Sequence, residues 1–165
     1  MEKSLRLCAA LLLTAAGLNA QAVRPPRAQP PAFVWAGVQL GGFGKEMMGA
    51  EFSLSAQVGK GGYGSVYYLG ASVPFSAGDA VTEFGIMAGP CARSRGSFAG
   101  VAVGLGVMKG WLGSSDEVTA FGVPFKMEGA VILGGFMAVN LQVRAFIWKR
   151  TFSGISLGLQ LGKMR

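Results

Sequence analysis

The residues best able to do chemistry in this chain are Glu51, Glu83, Lys126, Glu128 and Arg144, with Gln57, Asn140, Gln142 and Gln160 beside them. Carboxylates near Lys and Arg can serve as general acids and bases, or they can neutralise one another as ion pairs. The first use is narrowed sharply by what is missing. The chain has no His, which removes Ser–His and Cys–His nucleophile pairs and most zinc sites. No carboxylate cluster has metal-ligand spacing, and no catalytic, cofactor-binding or metal-binding residue is assigned. Lipid-acting enzymes that depend on His are excluded on the same ground. One run does match a nucleotide-binding pattern. Gly59, Gly61, Gly64 and Val66 satisfy G-x-G-x-x-G-x-V, in which backbone N–H groups cradle phosphates. The partner motifs V-A-I-K, H-R-D and D-F-G are absent, and a tight turn explains the glycines, so no nucleotide is expected.

The elements that carry these polar residues alternate with a period of two, the pattern of a strand with two unlike faces. It is plainest over residues 136–163. Val139, Leu141, Val143, Ala145 and Ile147 alternate with Asn140, Gln142 and Arg144. Ile155, Leu157, Leu159 and Leu161 alternate with Gly, Ser156 and Gln160. Lys149, Arg150 and Thr151 join the two as a hairpin. Six further strands are expected upstream, at 33–41, 50–59, 63–75, 81–89, 97–108 and 119–132. In the third, Tyr67, Leu69, Ala71 and Val73 form the apolar face and Tyr68, Gly70 and Ser72 the other. Residues 42–49, 91–96 and 109–118 read as loops or turns. Pro124 denies the sixth strand an N–H, so a bulge or irregularity is expected there.

Eight strands thus present one apolar face and one face of Gly, Ser and sparse polar groups. The non-apolar face makes a poor solvent coat, since only 14% of residues are charged against roughly 25% in ordinary soluble domains. Gly, 27 of 165 residues, suits a narrow lumen instead. The expected fold is therefore all-β, an eight-stranded antiparallel up-and-down transmembrane barrel with its greasy face toward lipid. It must close, strand eight on strand one, because lipid does not tolerate an open sheet edge. An eight-stranded interior is just wide enough to be filled by side chains. The polar network Glu51, Glu83, Lys126, Glu128, Arg144, Gln142 and Gln160 then lines the lumen, where its charges have to pair. Strand direction places Glu51, Glu83 and Arg144 in the outer half and Lys126 with Glu128 lower, so Arg144 is expected to pair with Glu83 or Glu51. Phe33, Trp35, Tyr63, Phe75, Phe98, Trp148 and Phe152 fall near strand ends, as aromatic girdles do. A transmembrane helix over 130–143 is the rival reading. Gly134 and Gly135 break it, and Asn140, Gln142 and Arg144 interrupt it or its end.

Residues 1–22 read as a secretory signal peptide. Lys3 and Arg6 precede an apolar run over 7–18 that ends in Ala20-Gln21-Ala22. That run is too short to span a bilayer as a helix, which needs ~20 residues. Cleavage would remove Cys8 and leave Cys91, so no internal disulfide is expected. Residues 23–32 form a Pro-rich lead-in, and 33–165 the barrel. The net charge of +7 is scattered, without the basic cluster and interleaved aromatics of a nucleic-acid site. Lipid headgroups are the expected partner of the basic residues.

Taken together, these features resemble small eight-stranded bacterial outer-membrane β-barrel proteins over 33–165, and residues 152–165 resemble the endings of uncharacterised barrels of that type. The last three residues, Lys163-Met164-Arg165, depart from the terminal aromatic that many such barrels use in assembly. The resemblance implies export to a bacterial outer membrane and a non-enzymatic, structural or surface-contact role. A narrow channel, a soluble periplasmic lipocalin-like barrel for an apolar ligand and a His-independent lipid enzyme stay open as alternatives.

Overall fold

The computed structural model describes residues 33–44, 46–59, 61–74, 79–111 and 117–163. The expected signal peptide, the Pro-rich lead-in and Phe75 lie outside the described residues. The eight strands are β1 (Val34–Phe43), β2 (Met47–Val58), β3 (Gly62–Ser72), β4 (Ala80–Arg93), β5 (Ser97–Trp111), β6 (Glu117–Leu133), β7 (Met137–Ile147) and β8 (Thr151–Lys163). All pair antiparallel with their sequence neighbours, and β8 returns to β1 to close the barrel, Val38 opposite Leu159 and Leu40 opposite Leu157. Every sheet edge is thereby paired, as a barrel in lipid requires.

Residues 130–143 lie in β6, the turn and β7, so the helical reading fails. Asn140, Gln142 and Arg144 all point inward on one strand, where a helix would have scattered them around its axis.

Most strands run past their expected ends. β1 continues through Gly42 and Phe43, which pair with Met48 and Met47. Cys91 is not in a turn but in β4, paired with Gly100 and buried. Lys109 and Trp111 belong to β5 and Glu117 to β6, where Trp111 faces Glu117 and Lys109 Nζ lies 2.9 Å from the Glu117 carboxylate. Turn-forming residues signalled these breaks in the sequence, but ladder hydrogen bonds to a neighbour outweigh local preference. Pro124 does interrupt its ladder. The β5–β6 pairing skips from Val103–Phe125 to Gly106–Gly122 and resumes in the same register, so it is an irregularity without a bulge. Pro90 sits at a similar gap between β4 and β5.

The exterior is hydrophobic. Leu105 is 70% exposed and Phe121 82%, in a band with Leu40, Leu54, Phe84, Ile86, Val103, Leu141, Leu157 and Leu159. Such a surface would cost heavily in water and almost nothing in a bilayer. A lipocalin-like arrangement needs a polar exterior, and this exterior is apolar.

Two expectations about faces are corrected. In β3 the apolar parity points inward: Tyr67, Leu69 and Ala71 are buried while Val66 and Tyr68 face out. Both parities of β3 offer hydrophobic surface, and the Tyr67 hydroxyl decides between them by donating to Glu83 Oε1 at 2.5 Å inside the barrel. The supposed girdle is also misplaced. Phe33, Trp35, Tyr63, Phe98 and Phe152 are buried, and Trp148 packs partly buried against the interior. Among the described residues the most exposed aromatics are Phe52, Tyr68, Phe84, Trp111, Phe121 and Phe136, and Phe125 shares their outward parity.

Glycines make room for these inward rings. A Cβ on Gly100 would lie 2.7 Å from Tyr63 Cε1 and 3.0 Å from Phe98 Cζ. Gly100→Val is expected to destabilise the barrel by about 1–3 kcal/mol through overpacking, read from the urea midpoint of the protein folded in lipid vesicles. Gly129, on the outer face with nothing within 4 Å of its Cβ position, is the control, and Gly129→Val should leave the midpoint nearly unchanged.

Candidate functional site: a charged layer between two apolar plugs

The lumen is built in three tiers. At the end where the described chain begins and stops, Phe33, Trp35, Tyr63, Met87, Cys91, Phe98, Ala102 and Ile132 form one buried cluster. Trp35 and Phe98 meet edge-to-face at 5.2 Å, Tyr63 and Phe98 at 5.5 Å, the offset geometries that aromatic rings prefer. The Arg93 guanidinium covers the Phe33 ring at 3.3 Å. At the far end Phe43, Met47, Leu69, Val81, Met108, Phe146 and Phe152 form a second cluster, with Phe43 stacked on Phe152 at 6.0 Å.

Between the plugs lies the polar tier. It follows from strand parity: an inward residue every second position puts Glu51 and Ser53 of β2, or Asn140, Gln142 and Arg144 of β7, on one wall. Arg144 reaches across from β7 and splits its fork, Nη1 donating to Glu51 Oε2 and Nη2 to Glu83 Oε1. Gln142 Nε2 donates to the same Glu51 oxygen at 2.7 Å. Tyr67 donates to the same Glu83 oxygen, and the Arg144 guanidinium lies 4.5 Å over the Tyr67 ring. Nearer the terminal end, Lys126 Nζ is 3.3 Å from Glu128 Oε1 and 5.7 Å from the Tyr63 ring centre. Gln160 Nε2 donates to Glu128 Oε2 at 3.2 Å.

The seven residues named from sequence therefore fall into two groups, Glu51, Glu83, Gln142 and Arg144 in one and Lys126, Glu128 and Gln160 in the other. All are buried. Gln57 stands apart near the rim, donating to the Gly59 carbonyl and accepting from Arg93. Sequence reasoning missed Tyr67, which it placed on the lipid face. It also left Gln39 unnamed, although alternation with Val38 and Leu40 marks it as inward.

This arrangement holds charge more readily than it performs chemistry. The Tyr67 hydroxyl does rest on a carboxylate, Glu83, but the Arg144 guanidinium shares that oxygen and all three side chains are buried, and among the described residues no group of three His, Cys, Asp or Glu could hold a metal ion. A recess lined by Trp35, Arg93, Phe98, Ala130, Ile132 and Gln160 has about 10 Å³ of room. That suits one water, whereas ligand pockets run to roughly 300–1,000 Å³.

No protein-family model matches the sequence, and no curated protein does. Solved structures do match. The N-terminal β-barrel domain of Pseudomonas aeruginosa OprF superimposes with a TM-score of 0.63 at 8% identity, covering 82% of this chain and 99% of that one. Ail, the attachment invasion locus protein of Yersinia pestis, gives 0.59 at 10% identity over 79% and 96%. The outer membrane enzyme PagL gives 0.54 at 14% identity over 77% and 98%. One architecture thus serves an attachment-locus protein and an enzyme, and activity does not follow from it. What the likeness establishes is the fold: this chain is an eight-stranded, closed antiparallel barrel of the bacterial outer-membrane type.

Proposed function

We propose that this chain is a non-enzymatic outer-membrane β-barrel with a structural or surface-contact role, exported to a bacterial outer membrane and surrounded there by its lipid. The observation that carries the reading is the plugged lumen. Among the described residues, buried apolar clusters flank the polar tier at both ends, and this packing favours a filled, stiffened lumen over an ion path. The lack of His and the burial of the Tyr67–Glu83 contact between the plugs support the non-enzymatic half of the proposal. The hydrophobic band supports the membrane setting.

Planar-bilayer recording on the purified, folded barrel tests the closed lumen. The expected trace has no discrete conductance steps, and reproducible steps would replace this reading with the channel. Incubation with outer-membrane lipids, followed by mass spectrometry of the lipid, is expected to show no cleaved or transferred acyl chain. Turnover would overturn the non-enzymatic assignment.

A further inference from the structure

Charges that are scattered along the sequence are sorted by the fold. Among the described residues the lumen holds Lys126 and Arg144 against Glu51, Glu83 and Glu128. The end far from the termini carries Glu46, Asp79 and Glu117 against Lys109, Lys149 and Arg150, and so is neutral. The end where the described chain begins and stops carries Arg93, Arg95 and Lys163 and, among the described residues, no carboxylate. The flanking sequence has the same sign, with Arg24 and Arg27 before β1 and Arg165 after β8. The described barrel is thus polarised along its axis, its surplus positive charge on the terminal rim.

Two of these cations are held outward. Ser94 Oγ accepts from the Gly96 and Ser97 N–H groups at 3.2 and 3.1 Å, which fixes the β4–β5 hairpin with Arg95 exposed at its tip. Lys163 continues the lipid-facing column Leu157, Leu159 and Leu161 of β8 and is also exposed. On the neighbouring chain the Phe136 carbonyl accepts from the Gly162 N–H at 2.8 Å, and Phe136 is 64% exposed. Lys163 and Phe136 therefore stand side by side where the leucine column ends. A long cationic side chain at that level lays its stem on apolar surface and lifts its charge to the headgroups. Arg93 turns inward instead, over the Phe33 ring and toward Gln57.

We propose that the terminal rim binds the phosphate headgroups of anionic phospholipids in the leaflet around it, through Arg95 and Lys163. A single small anion would need its cations gathered on one wall. Arg95 stands between β4 and β5, whereas Lys163 ends β8 beside β1, across the barrel. A leaflet meets both, because its headgroups encircle the barrel and the cations need share only their depth. The exposed Phe136 and Leu161 next to Lys163 fit acyl chains below a phosphate, contact that a soluble polyanion would leave bare. Each cation near an anionic membrane surface strengthens attachment about fivefold. The far rim offers no such surplus, since Lys109 is spent on Glu117 at 2.9 Å. The inference rests on the membrane setting proposed above, but not on a closed or inert lumen.

Native mass spectrometry tests it, on the folded full chain released from vesicles of phosphatidylcholine and phosphatidylglycerol. Retained phosphatidylglycerol is expected at about fivefold above its share of the vesicle. Arg95→Gln with Lys163→Gln, both at exposed positions, should return the retained lipid to the vesicle composition. Lys149→Gln with Arg150→Gln, on the far rim, should leave the enrichment unchanged. Phosphatidylglycerol at its vesicle share in the wild type overturns the proposal, as does an enrichment that depends on the far-rim pair and survives loss of the terminal one. Sodium phosphate should displace the lipid no more than sodium chloride of equal ionic strength. Displacement by phosphate alone would put a free-phosphate site in the headgroup's place and overturn the proposal. The bilayer recording and lipid-turnover assays read the lumen and this one reads the rim, so either reading can fail while the other stands.

Discussion

Arg144→Met is expected to destabilise the barrel by about 3–5 kcal/mol, the largest loss from any single polar substitution in the lumen. Removing the guanidinium strips Glu51 and Glu83 of the partner they share and leaves two carboxylates close together, both fully buried. Taking one partner from a buried pair costs more than the pair contributes, because the remaining charge keeps its desolvation penalty. The measurement is the urea midpoint of unfolding in lipid vesicles, followed by tryptophan fluorescence. Arg144→Lys should fall between wild type and Arg144→Met, since an ammonium keeps the charge but cannot fork toward two carboxylates. The triple variant Arg144→Met, Glu51→Gln, Glu83→Gln should recover much of the loss, because no bare charge remains. A value for Arg144→Met within about 0.5 kcal/mol of wild type, the range of ordinary surface changes, would mean that the three residues do not form the contacts described.

The second large effect is on the outside. Leu157 stands midway along β8, paired with Leu40 and Leu141 on its neighbours and 59% exposed. Leu157→Arg is expected to cost about 2–4 kcal/mol in bilayers, the range for a cation at the midplane of a barrel's lipid face. Leu133, also outward but at the end of β6, reaches the interface, and Leu133→Arg should cost only about 0–1 kcal/mol. That gradient with depth is the discriminating result. A barrel bathed in water would tolerate both substitutions equally, and equal small costs would remove the membrane from the account.

How much of this was legible in the chain differs from strand to strand. In β7 and β8 the alternation is strict, and a period of two admits one inward set whatever the neighbours do. Eight such segments, too apolar outside for water and too polar inside for a helix, have few ways to satisfy their backbone in lipid other than closure. Strand number, barrel closure and the inward position of Glu51, Glu83, Lys126, Glu128 and Arg144 were therefore readable from residue order alone.

Three matters were decided only by the tertiary structure. The first is the parity of β3, where Tyr67 and Tyr68 are both aromatic and either face could have met lipid. A hydroxyl finds its acceptor, Glu83, only once β4 lies alongside. The second is the fate of the aromatics near strand ends. Alternation places a ring on a face but not against a partner. Trp35, Tyr63 and Phe98 come from β1, β3 and β5 and become a plug only when the sheet has curled enough for their walls to face one another. The third is the sharing of Arg144 between Glu51 and Glu83. Those residues lie 93 and 61 positions from Arg144 in sequence, and the distance between opposite walls of a barrel is set by strand number and stagger, quantities that belong to the whole closed sheet and not to any one of its segments.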